Sequence, residues 1–201
     1  MTRVMSGAVI GVVAVGLLAG CAAAGREPPG LTASPSVAVE SPTPSPTVEG
    51  PIDRSDPDLG IVFTDLPDVT GDARSALDML TLFEVEFWRA QSSGNYDSGI
   101  GLIAAPDVTS VVKAQVDGNN AGGWSLSGVL TIRAAVDQAT EVSATASVCR
   151  DFSEVLFSNA GVTQSASEVG IVAGDLVEVS MSRDGADGGW TVGSYAVAGT
   201  C

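Results

Sequence analysis

Apolar residues recur with two different periods along the chain, first helical and then alternating. Over residues 72–92, Ala76, Met79, Leu80, Phe83, Phe87 and Ala90 share one face of a helical wheel. That i, i+3, i+4 spacing predicts a long helix with a core-facing stripe. Thr70 and Asp72 are cap candidates at its start, and Gly94-Asn95 ends it. Arg74, Asp78, Thr81, Glu86 and Arg89 occupy the opposite face, where Arg74 and Asp78 can pair at i, i+4. Leu82 and Val85 interrupt that polar face. Either the segment before the helix covers them, or they form a contact surface for a partner or a second copy.

Two shorter helices follow at 97–105 and 106–116, punctuated by Pro106, and 117–123 reads as a glycine-asparagine loop. The period then changes to two. Leu126, Leu130, Ile132, Ala134 and Val136 fall on one side of a strand; Val142, Ala144, Ala146 and Val148 do the same against Ser143, Thr145 and Ser147. Val177, Val179 and Met181 repeat the pattern, 183–189 reads as a hairpin loop, and 190–197 is the last strand. The stretch 152–172 is ambiguous, with a turn at Asn159-Ala160-Gly161, possible within an extended arm. Helices followed by a strand meander predict an α+β domain: a curved antiparallel sheet with helices on its concave face.

The amino terminus carries a different signal. Arg3 precedes an apolar run from Val9 to Leu18, and Leu18-Ala19-Gly20-Cys21 places small residues before a cysteine. The run is too short to span a bilayer comfortably, and the motif resembles the bacterial lipobox. The reading is a signal peptide over 1–20, cleaved before Cys21, whose thiol carries diacylglycerol. Two acyl chains, at about 0.8 kcal/mol per buried CH₂, hold a protein stably on a membrane. The alternative is an ordinary secretory signal with a chance cysteine. The predicted location is the extracytoplasmic face of the cell membrane, with the membrane as partner through Cys21.

Residues 21–58 follow as the lipidated cysteine and a linker. Pro28-Pro29 and Ser41-Pro42-Thr43-Pro44-Ser45-Pro46-Thr47 suit neither helix nor central strand. At about 3.1 Å per residue, such a segment reaches on the order of 100 Å when fully extended. A single domain is then expected over 59–201. Without Arg3 the net charge is about −16, which argues against nucleic acid and against lying flat on anionic lipid. Abundant Ala, Gly and Val, with Lys113 the single lysine, fit a high-GC actinobacterium.

The chain contains no histidine, which excludes Ser-His-Asp and Cys-His catalysis and the common His-bearing zinc sites. With Cys21 lipidated, Cys149 and Cys201 are left as a pair in an oxidising compartment, so a disulfide is the default. One of them left free for redox chemistry or cross-chain pairing is the alternative.

The helix ending Glu86-Phe87-Trp88-Arg89-Ala90, then Gly94-Asn95-Tyr96, Ala104-Ala105-Pro106 and the later strands resemble the nuclear transport factor 2-like (SnoaL-like) family. More narrowly, Val148-Cys149-Arg150-Asp151, Gly189-Trp190-Thr191-Val192 and Gly199-Thr200-Cys201 are similar to actinobacterial lipoproteins with that fold. The resemblance covers roughly 70–201 and implies a cone-shaped domain. Many such relatives have a cysteine where the short helices end, and this chain has none there. Enzymes of the fold usually place Asp and His in the cone pocket, which the lack of histidine rules out here.

Other chemistry is sparse. Glu84 lies at the edge of the apolar stripe beside Trp88, either as a buried base or as a boundary residue reaching water. Asp184 and Asp187 with their glycines lack the ligand series of a calcium loop. Trp124 and Trp190 read as packing residues. The sequence therefore predicts no catalytic residues, no cofactor and no metal centre. It favours a non-catalytic binding or interaction domain at the cell surface. The alternative is a small hydrophobic-ligand carrier or a His-independent enzyme using the cone pocket. A cone plugged by Phe83, Phe87 and Trp88 would favour the first; an apolar pocket with Glu84 buried in it, the second.

Overall fold

The computed structural model describes residues 52–96 and 99–201. The predicted signal peptide, Cys21 and the linker up to residue 51 lie outside the described residues. The element order is β1 (Ile61–Phe63), α1 (Gly71–Ser93), α2 (Ile100–Ile103), α3 (Pro106–Ala121), β2 (Trp124–Ala139), β3 (Ser143–Asn159), β4 (Val162–Ser165), β5 (Gly174–Ser182) and β6 (Thr191–Thr200). The strands form a curved, open, six-stranded sheet in the order β1-β2-β3-β5-β6, with β4 paired to β3. The architecture is α+β.

The sheet is mixed, which corrects the expectation of an antiparallel one. β1 runs parallel to β2, setting Ile61 opposite Leu130 and Phe63 opposite Ile132. Three residues are too few to display a period, yet Ile61 and Phe63 are buried. Within 52–58, which the sequence places in the linker, Ser55 and Asp56 are bonded to β1. Asp56 and Ile61 exchange backbone hydrogen bonds of 2.9 and 3.1 Å, and Ser55 Oγ accepts one from the Phe63 N–H at 2.8 Å.

α1 begins after Thr70, which caps it with extended backbone and no side-chain bond, and stops at Gly94 in the left-handed region. Of the predicted stripe, Met79 is only half-buried; Leu77, Thr81, Glu84, Val85, Trp88 and Gln91 are buried as well. The helix is thus covered round most of its girth. Trp88, one turn after Val85, donates its indole N–H to the Leu59 carbonyl at 3.0 Å, so the segment before the helix lies against it.

α3 runs five residues past the predicted end at 116. Glycine and asparagine are poor helix formers, but tertiary bonds hold them. Asn119 Nδ2 donates to Gln91 Oε1 at 3.0 Å and Asn120 Nδ2 to the Gly94 carbonyl at 2.7 Å. The ambiguous stretch becomes the far half of β3, a tight turn at Ala160-Gly161, β4, and a loop over 166–173. Val142, assigned to the inward side of a strand, lies exposed in the β2–β3 turn.

The sheet's inward face carries Leu130, Ile132, Val148, Val177, Val179 and Val192, all buried with Leu80 and Phe83 of α1 and Val112 of α3. Each such side chain contributes about 1.5–3 kcal/mol by leaving water. Two glycines permit a close backbone approach beside this core. A Cβ on Gly60 would stand 2.2 Å from the Gly128 carbonyl oxygen, and one on Gly128 would stand 2.2 Å from that of Glu154. Cys149 and Cys201 form a disulfide, with Cα atoms 5.9 Å apart. It ties the end of β6 to β3.

Candidate functional site

β3 alternates inward and outward, so Cys149 turns away from the helices while Arg150 continues the inward row of Ala144, Ala146 and Val148. Arg150 is buried at 1% exposure and Glu84 at 0%. They form a two-pronged ion pair, Nε to Oε2 at 2.8 Å and one Nη to Oε1 at 2.9 Å. The other Nη donates to the Tyr195 hydroxyl. The guanidinium carbon stands 3.8 Å from the centroid of Phe87 and 4.9 Å from that of Tyr195. Burial works to lower the proton affinity of Arg150, but Glu84 and Tyr195 outweigh it and raise its pKa above the ordinary arginine value. Both oxygens of Glu84 accept from that cation. A carboxylate so held is a structural counter-ion, poorly placed to take a proton from a substrate.

Above this network a cavity of about 360 Å³ opens between α1, α3 and the sheet. Phe87, Trp88 and Arg150 form its floor; Leu126, Phe152 and Phe157 are walls. At the rim, Ile171 is 37% and Val197 56% exposed. A neighbouring recess of about 240 Å³ shares Asn119, Phe157 and Ile171 with it and adds Trp124 and Val169. The larger cavity falls in the range of roughly 300–1,000 Å³ typical of small-molecule pockets.

Polar groups enter from two sides. Gln91 on α1 links Asn119 and Gln115 on α3, accepting from Asn119 and donating to Gln115 at 3.4 Å. Asp175 on β5 lies across from Arg150 in the sheet register and also lines the cavity.

Of the residues the sequence singled out, Phe87 and Trp88 line this cavity, Glu84 sits behind Arg150, and Phe83 is wholly inside the core with its ring 5.9 Å from that of Tyr195. The aromatics form a floor with space above it. Arg150, Tyr195, Gln91, Gln115 and Asn119 were not given a role from sequence. Alternation along β3 could have found Arg150: an arginine at an inward position needs a buried partner, and Glu84 is the acidic residue on the stripe's edge. Trp124 lines the smaller recess, Trp190 is buried with the Arg183 guanidinium 4.6 Å from its ring, and Asp184 and Asp187 are exposed in the β5–β6 loop. Among the described residues no three His, Cys, Asp or Glu side chains converge as a metal site, and no helix is long and apolar enough to cross a membrane.

No family model matches this chain, and no curated protein matches it. Among solved structures it is similar to the intermembrane space region of the chloroplast protein ARC6, at 11% identity over 66% of this chain and 100% of that one, with a TM-score of 0.45. A likeness of that size carries no argument about function.

Proposed function

We propose that this chain is a bacterial lipoprotein whose single domain is a non-catalytic carrier of a small ligand, the second of the two readings that the sequence leaves open. It is held on the extracytoplasmic face of the cell membrane by diacylglycerol on Cys21, and its partner enters the pocket over Phe87 and Trp88. The fold assigned here is the cone-shaped nuclear transport factor 2-like (SnoaL-like) one. The support is the residue motifs named above, a curved open sheet with helices packed on its inward face, and a pocket between the two.

The observation that carries the binding reading is the pairing of Glu84 with Arg150 beneath an open cavity. The base that the sequence offers a His-independent enzyme is Glu84, and that carboxylate is engaged on both oxygens. An interaction module with a plugged cone would leave no cavity above the aromatics. Rim residues half exposed above a floor nearly closed to water describe a seat for a small molecule.

The test is a titration of the full chain carrying Cys21→Ala with a decyl series (1-decanol, decylamine and decanoate) below their micelle concentrations. Tryptophan fluorescence, to which Trp88 in the pocket contributes, is followed, with calorimetry giving stoichiometry. Saturable one-to-one binding of any member, lost in Val197→Trp, which fills the rim, supports the reading. No saturable binding by any member contradicts it.

A further inference from the structure

The pocket's charge distribution points to a kind of ligand. Arg150 and Asp175 are the charged residues that line the cavity. Arg150 is already neutralised: its Nε and one Nη bind Glu84, its other Nη binds the Tyr195 hydroxyl, and the rings of Phe87 and Tyr195 cover it. An incoming anion would have to break a buried ion pair to use that cation. Asp175 differs. It is half-buried on the inward face of β5, and among the described residues its carboxylate has no hydrogen-bond or ion-pair partner. Glu84, Arg150 and Asp175 together leave one uncompensated negative charge at the pocket. The remaining polar groups are the neutral amides of Gln91, Gln115 and Asn119, and the walls are apolar.

We infer that the pocket selects a small amphiphile bearing a single positive charge. Its apolar body lies against Leu126, Phe152 and Phe157, and its cationic end is held by Asp175. This rests on the binding reading above and adds the charge of the ligand. A carboxylate-headed molecule of the same length meets repulsion from Asp175 and an Arg150 with no free face. An alcohol meets neither attraction nor repulsion of that size. Part-buried charges interact through a lower effective dielectric than water, so the discrimination exceeds what the same groups would give on an open surface.

The experiment is the decyl titration read as an order of affinities at neutral pH. Decylamine, protonated there, binds at least about tenfold tighter than decanol, and decanoate binds weakest. Asp175→Asn brings decylamine to the affinity of decanol while decanol itself is unchanged. Glu178→Gln, which removes a carboxylate from the opposite face of the same strand, leaves the order intact and so controls for the general acidity of the chain. Decanoate or decanol binding as tightly as decylamine, or a preference that survives Asp175→Asn, overturns the inference and leaves the binding reading standing. Failure of all three probes to bind removes both.

Discussion

Glu84 on α1 and Arg150 on β3 meet side-on inside the domain, 66 residues apart in sequence and joined by two hydrogen bonds of 2.8 and 2.9 Å. Breaking such a pair leaves an unpartnered buried charge, which costs about 3–5 kcal/mol, whereas replacing both members by apolar groups is often neutral. Arg150→Met and Glu84→Leu should therefore each destabilise the fold by that amount. The double variant should lose far less than their sum. Denaturant unfolding measures all three, and additive losses would show that the two residues act independently.

The disulfide closes a loop with a sequence separation of 52. Chain-entropy arithmetic gives about 4 kcal/mol for a loop of that size, a large part of the roughly 5–15 kcal/mol that holds a typical domain together. Cys149→Ala with Cys201→Ala should unfold at a markedly lower denaturant midpoint. Amide exchange should quicken first at Gly199 and Thr200, at the end of β6. Unchanged exchange there would mean that the sheet alone holds that strand.

Cys21→Ala should shift the protein from the membrane fraction into the medium, or leave it unprocessed. Fractionation followed by intact-mass measurement reads the outcome. A variant still membrane-bound at mature size would remove the lipid anchor from the proposal.

Gly128 and Gly161 both have positive φ, at 84° and 81°, but a Cβ on Gly161 would meet nothing within 4 Å. Gly161→Ala should cost only the backbone penalty of about 1–2 kcal/mol. Gly128→Ala should cost distinctly more, because the Glu154 carbonyl would have to move. Equal midpoints in thermal unfolding would refute the steric account.

Much of the framework was legible from periodicity. The α1 stripe, the alternation in β2, β3 and β5, and the last hairpin all fall where long repeats of 3.6 or 2 place them, and the cysteine pair followed from counting thiols. What escaped was decided by contacts between distant segments. β1 is too short to have a period and exists because β2 offers its edge to Ile61 and Phe63. The end of α3 reads as a loop until Gln91 and Gly94 supply partners for Asn119 and Asn120. The pocket was half visible: Phe87 and Trp88 sit on a recognisable stripe, but Tyr195 reads as one more residue of an edge strand. Asp175 precedes the apolar alternation of its strand, so nothing local marks it as facing Arg150.

The sheet ends on β6, whose outer edge, among the described residues, is covered only at its start, where the Ala105 N–H donates to the Val192 carbonyl at 2.8 Å. Beyond that point both neighbours of Tyr195, and every residue from Ala196 to the end of the strand, are exposed. An open edge is a template on which another chain can add a strand. The pairing of β5 with β6 slips twice, between Leu176 and Val177 and between Ser180 and Met181. Such irregularities coil a strand and spoil the flat, even ladder that stacking requires. The domain can thus leave this border open without building a continuous ladder of copies along it.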